Sequence, residues 1–359
     1  MIDASDLLAH PRGRRFCLEL VRVVQDPDDP ATAHLGALLF WAEHHLGVEL
    51  GDGRTLFGIG GAVEPEPAPH LGTVANALAA VSLPSVGEDD VVVALESTAE
   101  SALWWQQPDA LDVLLGRPEL LPALRRIARW AADSPVVRRL FDPQGGAWSV
   151  EFDEDDQPRR PGAAEALAAW SRELRREDAE GNPGVASGVW WTTPPWPLAQ
   201  HTRAPFRSAG PLALWAVEDS FGQERAVVSA VPADATARVC TVDGPADWAA
   251  LCRRWPLDVT QTTRRNDWAV ATGRQGDWVL PDWSAVATEY DVVHLTVAGW
   301  FRTSGLAVPV DGSRASVVAG WTPDSAYRLT DWGAEVSAVP AEPETWSRPG
   351  NSGVWRRLS

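Results

Sequence analysis

The stretch from Leu257 to Trp283 holds the densest grouping of polar and aromatic residues in the chain. Arg264 and Arg265 are adjacent, and Trp268 follows shortly after them. A guanidinium group can bind a pyrophosphate through two hydrogen bonds, and an indole ring can stack on a base or on nicotinamide. The segment therefore indicates a site for an anionic, aromatic ligand such as a dinucleotide. The alternative is a solvated loop that carries one packed tryptophan.

A second candidate is His294, in a segment from Tyr290 to Val297 with the alternation of a β-strand. Alternation places His294 and Thr296 on the face opposite Val293 and Leu295. A partly polar face is typical of a strand that lines a cleft, where a histidine binds a hydroxyl group or acts as an acid or base. A half-exposed strand with a solvated histidine fits the same pattern.

Several catalytic classes are excluded by the residues that the sequence lacks. All 31 basic residues are arginines. A Walker A loop, a pyridoxal phosphate site and a protein kinase each need a lysine, so these classes are excluded. The sequence has no G-x-S-x-G elbow and no G-x-G-x-x-G fingerprint after a strand. His44 and His45 diverge by about 100° on a helix, so we expect no metal site.

Composition limits the partners and the compartment. The net charge of -18 disfavours nucleic acid and the anionic surface of a membrane. Three scattered cysteines are too few for a disulfide framework, and we expect free thiols. The first residues lack a basic segment followed by an apolar stretch, and no apolar run is long enough to span a membrane. We therefore expect a cytoplasmic protein.

Hydrophobic periodicity predicts an α+β protein of two domains. Residues 1–180 form an acidic, mainly helical domain, and an acidic Gly/Pro segment near 178–184 forms the linker. Residues 185–359 form a Trp-rich α+β domain with a mixed or antiparallel sheet and the candidate site. The predicted strands are Val91–Leu95, Leu212–Val217, Arg225–Val231, Arg238–Val242, Val292–Val297 and Ser316–Ala319.

The 20 tryptophans, fourteen of them after residue 185, fit two interpretations. Large aromatic rings fill the cores of α+β domains, and they also bind sugars or bases. Composition alone does not separate these two uses.

Parts of the chain resemble known protein families. Segments 248–260, 281–287, 290–296 and 320–324 resemble a family from GC-rich bacteria that brings no assigned activity. The order of a helix, the Tyr290 to Val293 strand and a second strand near Trp321 is similar to the back half of ADP-ribosyltransferase folds. In that resemblance, Asp324 takes the place of the catalytic glutamate. Arg238 takes the place of the basic residue on the first strand.

From these sequence features we expect one of two functions. The resemblance implies an enzyme that uses NAD as its substrate and transfers ADP-ribose, without a metal. In it, Arg238, Arg264 and Arg265 bind the pyrophosphate, Trp268 stacks, and His294 and Asp324 orient the ribose. The alternative is a non-catalytic, acidic binding or immunity-type protein. Such a protein would dock on a basic partner through a Trp/Arg-rich face.

Overall fold

The structure is a computed structural model of the chain. It describes residues 2–51, 65–143, 145–152, 161–181, 188–196, 198–220, 222–331, 342–350 and 353–358. Of the segment between 51 and 65 it describes the backbone of residues 57–58 and 61–62.

The first compact unit takes in Met1–Ala94 and Pro108–Arg138, and it is mainly helical. Its helices are amphipathic, with leucine, valine and alanine side chains on the buried side. They are α1 (Ala4–Ala9), α2 (Pro11–Val24), α3 (Pro30–Glu49), α4 (Leu71–Ala80), the first part of α5 (Glu88–Glu100), α6 (Ala110–Leu115), α7 (Leu121–Asp133) and the first part of α8 (Pro135–Phe141). Strands β1 (Phe57–Gly58) and β2 (Gly61–Ala62) pair in antiparallel orientation.

The second compact unit takes in Leu95–Gln107 and Arg139–Ser359. Its helices are α9 (Ala163–Glu180), α10 (Pro245–Arg254), α11 (Arg264–Thr272), α12 (Trp283–Val286) and α13 (Val297–Thr303). Its strands are β3 (Ala147–Phe152), β4 (Gln200–Arg203), β5 (Arg225–Val231), β6 (Val239–Val242), β7 (Pro256–Asp258), β8 (Asp277–Pro281), β9 (Val292–Leu295), β10 (Val308–Pro309), β11 (Arg314–Ser316), β12 (Ala326–Arg328), β13 (Glu344–Ser347) and β14 (Arg356–Arg357).

Two mixed sheets organise this second unit. The larger has the order β14-β13-β5-β3-β4-β12-β9-β6, and all its neighbours are antiparallel except β6 and β9. The smaller has the order β10-β11-β8-β7, with β11 parallel to β8. The predicted α+β class, with helices first and strands in the C-terminal half, is confirmed.

Several predicted elements differ from the structure. The predicted strand Val91–Leu95 lies inside α5, because acidic residues in the first turn favour a helix there and a short apolar run does not distinguish the two. The predicted strand Leu212–Val217 contains a 3₁₀ helix, Leu212–Leu214, which starts after Pro211. Strand β9 ends at Leu295, since the Thr296 hydroxyl accepts a hydrogen bond from Gly299 N and caps α13.

The compact units have different bounds from the predicted domains 1–180 and 185–359. Helix α9, which the sequence assigned to the N-terminal domain, belongs to the second unit. There its Ser171 hydroxyl donates a hydrogen bond to Asp282 at the start of α12. Whether 1–180 and 185–359 fold as separate domains stays a prediction.

Tryptophans fill much of the core of the second unit. Eight of the described tryptophans are fully buried: Trp215, Trp248, Trp268, Trp278, Trp283, Trp300, Trp321 and Trp355. Trp248, Trp283 and Trp321 lie with their ring centroids about 6 Å apart in edge or tilted contacts. Packing in the core is therefore the role of many of the tryptophans.

Two helical glycines give a matched test of the helix packing in the first unit. A methyl group at Gly13 in α2 would lie 2.1 Å from the carbonyl oxygen of Leu7, whereas one at Gly36 in α3 would meet nothing within 4 Å. We expect Gly13→Ala to lower the free energy of unfolding by on the order of 2 kcal/mol. Gly36→Ala should raise it by about 0.5 to 1 kcal/mol, because alanine loses less backbone entropy in a helix. Urea unfolding followed by circular dichroism measures both, and equal effects of the two substitutions would contradict this packing.

Candidate functional site

The candidate site is built on one row of the larger sheet. Ala326 on β12 pairs with His201 on β4 and with His294 on β9. Residues paired across neighbouring strands point to the same face of a sheet, so the two imidazoles flank Ala326 on one face. The small methyl group of Ala326 leaves room between them.

Two arginines follow on the same face. Arg203 lies two residues after His201, and Arg328 lies two residues after Ala326. Because side chains alternate along a strand, both arginines point to the same side of the sheet as His201 and His294. That side forms a pocket of about 280 Å³. Its lining residues are Ala147, His201, Thr202, Arg203, Val231, Pro232, Ala233, Asp234, Ala237, Val239, Val292, His294, Asp324, Ala326 and Arg328.

Asp324 lies in the turn before β12 and is only 1% exposed. Its φ of 65° is left-handed, a conformation that aspartate and asparagine adopt more readily than most residues. Arg203 donates to its carboxylate from Nε (3.0 Å), from Nη2 (2.5 Å) and from the backbone nitrogen (2.9 Å). His294 Nε2 lies 3.0 Å from Oδ1 of the same carboxylate. Asp324 thus connects β4 to β9.

These contacts fix the tautomer of His294. Burial opposes ionisation of Asp324, but the hydrogen bonds from His294 and Arg203 outweigh it and lower the pKa of the carboxyl group. An ionised carboxylate only accepts hydrogen bonds, so Nε2 of His294 carries the hydrogen in this contact. In the neutral ring, the lone pair then lies on Nδ1.

His201, on the other side of Ala326, is held in its neutral form. Burial, and then the nearby His294, lower its pKa to about 4, and Asp324 offsets only part of the shift. At neutral pH this imidazole therefore has one hydrogen-bond donor and one acceptor.

A second ion pair balances the charge of the pocket. Arg328 donates to Asp234 at 2.9 Å, and both side chains are largely buried. A hydrogen bond from the Thr236 hydroxyl, followed by the one from Arg328, lowers the pKa of Asp234 to about 2. Two guanidinium groups, those of Arg203 and Arg328, thus face two carboxylates, those of Asp324 and Asp234. Among the described lining residues, the formal charges cancel.

Of the residues predicted from the sequence, the structure brings two together. His294 and Asp324 are in direct contact in the pocket. Arg238 is not among the lining residues, although its neighbours Ala237 and Val239 are. Its half-exposed guanidinium group binds Asp291, with both N···O distances at 3.0 Å.

The other three predicted residues lie on α11, and none of them lines this pocket. Trp268 is fully buried and donates through Nε1 to the backbone oxygen of Trp190 (2.8 Å). Arg264 is 3% exposed and lies 3.6 Å from Glu177; burial lowers its pKa to about 10. Arg265 donates to the side chain of Gln261. Among the described residues, Arg264 and Trp268 therefore do not share a cleft with His294, contrary to the sequence prediction. Both side chains are packed in the interior of the protein.

Sequence reasoning missed His201, Arg203 and Arg328. A weak signal exists, since His201 and Arg203 alternate with Gln200 and Thr202 in a short segment that forms β4. The contact of Arg203 with Asp324, which is 121 positions away in the sequence, depends on the pairing of β4 with β12. Local spacing carries no information on such pairing.

Two absences apply only to the described part of the chain. No group of three or more His, Cys, Asp or Glu side chains there is arranged to hold a metal ion. None of the helices described combines the length and the apolar character needed to cross a membrane. Cys17, Cys240 and Cys252 are free thiols.

Comparison with protein-family models, with curated proteins and with solved structures gives no match. The likeness to ADP-ribosyltransferases therefore stays a prediction.

The neutral state of His201 predicts a pH dependence of stability. Its pKa falls from 6.5 to about 4 on folding, so the unfolded chain binds the extra proton between these values. Its contribution to the free energy of unfolding is present above pH 6.5 and is lost as the pH falls towards 4, by on the order of 3 kcal/mol. We expect His201→Gln to have a shallower fall in stability over this range than the unsubstituted chain.

Urea unfolding between pH 4.5 and 7.5 measures this slope. His34→Gln, at an exposed position of α3, is the matched control and should leave the slope unchanged. An identical slope for His201→Gln and the unsubstituted chain would contradict the neutral state of His201.

Proposed function

We propose that the chain is an enzyme whose proton-transfer centre is His294, positioned by Asp324, in the pocket beside Ala326. The observation that supports this most is the 3.0 Å contact between His294 Nε2 and a buried carboxylate. A carboxylate in that place orients the ring and favours the imidazolium that forms when the other nitrogen takes a proton. This is the arrangement of a general base.

The other polar groups of the pocket also have roles in the proposed reaction. Nδ1 of His294 takes a proton from a bound water or hydroxyl group, whose oxygen attacks the substrate. The neutral ring of His201 donates a hydrogen bond to the oxygen on which negative charge develops. The proton held by His294 then passes to the leaving group. Arg203 acts through Asp324 and is a positioning residue.

Size and charge limit the substrate. A pocket of about 280 Å³ is at the lower end of the range for small-molecule sites. The two ion pairs leave no excess charge among the described lining residues. Both features favour a small, uncharged polar group at the reacting end, such as an ester, an amide or a glycosidic bond.

Transfer of ADP-ribose from NAD is a narrower proposal for the same pocket. It keeps His294 and Asp324 from the sequence prediction. At 1% exposure, however, Asp324 has little surface for direct contact with a ribose. The geometry thus supports proton transfer better than the ribose contact that the resemblance implies, and NAD belongs among the substrates to test.

The experiment is a rate measurement over a panel of chromogenic esters, amides and glycosides, together with NAD. We expect turnover of at least one class and a fall in kcat of about 10² to 10⁴ for His294→Ala. Asp324→Asn should also lower kcat, because it keeps the shape and tolerates the left-handed turn but loses the charge. His34→Ala should be fully active.

Circular dichroism and unfolding curves establish that each variant folds before its rate is compared. A His294→Ala protein that folds normally and keeps full activity would place the chemistry elsewhere. If the unsubstituted chain is inactive throughout the panel, the enzyme proposal fails. The non-catalytic binding protein, for which the net charge of -18 favours a basic partner, then becomes the better account.

A further inference from the structure

A second pocket in the same compact unit is walled by tryptophan rings. It has a volume of about 470 Å³, and Trp105, Trp190 and Trp191 line it together with Glu218 and Asp219. Trp105 is 38% exposed and Trp191 is 41% exposed. These two rings remain open to solvent in a unit that buries eight other tryptophans completely. Exposed aromatic rings gathered around one cavity indicate a binding site.

The rings of Trp190 and Trp191 do not form a flat platform. Their planes meet at 78°, with centroids 6.3 Å apart in an edge contact. The third ring, Trp105, is held by a hydrogen bond from its Nε1 to Asp219 (3.1 Å). Rings at a steep angle to each other suit a rounded group, whereas a sugar ring or a base stacks on a single exposed face.

Buried contacts hold the Trp190–Trp191 segment in place. Trp268 donates to the backbone oxygen of Trp190, and Arg264 donates to that of Trp191 (3.4 Å). Gly320 lies so close that a methyl group there would be 2.5 Å from Cβ of Trp191. The pocket is thus preformed, which lowers the entropy lost on binding.

The ionisable side chains that line this pocket are acidic. The described lining residues include the carboxylates of Glu218 and Asp219 and no basic side chain, in a chain with 31 arginines. Glu218 is held by Trp300 Nε1 (2.7 Å), by the Ser304 hydroxyl (2.6 Å) and by a backbone nitrogen. Burial raises its pKa to about 7, and a cation in the pocket would favour the ionised form. The charge of Arg264 is offset by Glu177.

We propose that this pocket binds an organic cation with a methylated ammonium group. Indole faces attract such cations through the negative charge density of the ring, and carboxylates add attraction at longer range. A methylated ammonium is rounded and weakly hydrated, so it fits aromatic walls at right angles. This site is separate from the His294 pocket and does not depend on the proposed enzyme activity.

The first test compares two ligands of nearly the same shape on the unsubstituted chain. Choline carries a quaternary ammonium, and 3,3-dimethyl-1-butanol replaces the charged nitrogen with carbon. Isothermal titration calorimetry should show saturable choline binding and affinity for the neutral alcohol that is weaker by about tenfold or more. This comparison needs no substitution and therefore no assumption on folding.

Three variants locate the site. We expect Trp191→Ala and Trp105→Ala each to weaken choline binding by about tenfold, because each removes one wall. Trp196→Ala removes an indole that is 60% exposed but does not line the pocket, and it should leave binding unchanged.

The outcomes separate the alternatives. No choline binding at millimolar concentration, or equal binding of choline and the alcohol, would overturn the proposal. Binding of a panel of monosaccharides in place of choline would overturn it in favour of a sugar site. An equal loss of choline binding in Trp196→Ala would place binding outside this pocket. Catalytic activity of the His294→Ala protein has no bearing on any of these results.

Discussion

The buried carboxylate of Asp324 is the constraint on which the candidate site depends. A charge removed from water must be paired and hydrogen-bonded, or folding becomes unfavourable. Arg203 and His294 meet this need from two strands that flank β12, and the turn adopts a left-handed φ to bring the carboxylate between them. The contact that stabilises the turn is the same contact that orients the histidine. Local stability and proposed chemistry therefore share one set of hydrogen bonds.

In helix α11, residues of types that often bind ligands support the fold instead. Arg264 and Trp268 have the chemistry of a phosphate and base site, yet both are buried, and they hold the backbone of Trp190 and Trp191. The exposed indole of Trp191 in the second pocket depends on this support. Residue types alone predict binding at Arg264 and Trp268, whereas these two residues support a ring that lines the pocket.

The sequence predicted more of the fold than of the site. Periodicity located the strands β5, β6 and β9, and it placed His294 on the polar face of its strand. Periodicity was wrong at Val91–Leu95, where local composition and the acidic residues in the first turn favour a helix. The roles of His201 and Arg203 follow from pairing between strands that are distant in the sequence. Local sequence patterns do not reveal such pairing. Burial of the α11 side chains is likewise a result of tertiary packing.

The claim that Asp324 sets the tautomer of His294 has a direct measurement. Nitrogen-15 NMR of the imidazole side chains distinguishes a ring nitrogen that carries hydrogen from one that does not. The account predicts that, in neutral His294, Nε2 carries the hydrogen and Nδ1 is bare, and that Asp324→Asn weakens this preference. A hydrogen on Nδ1 in the unsubstituted chain, or a tautomer that Asp324→Asn leaves unchanged, would contradict it.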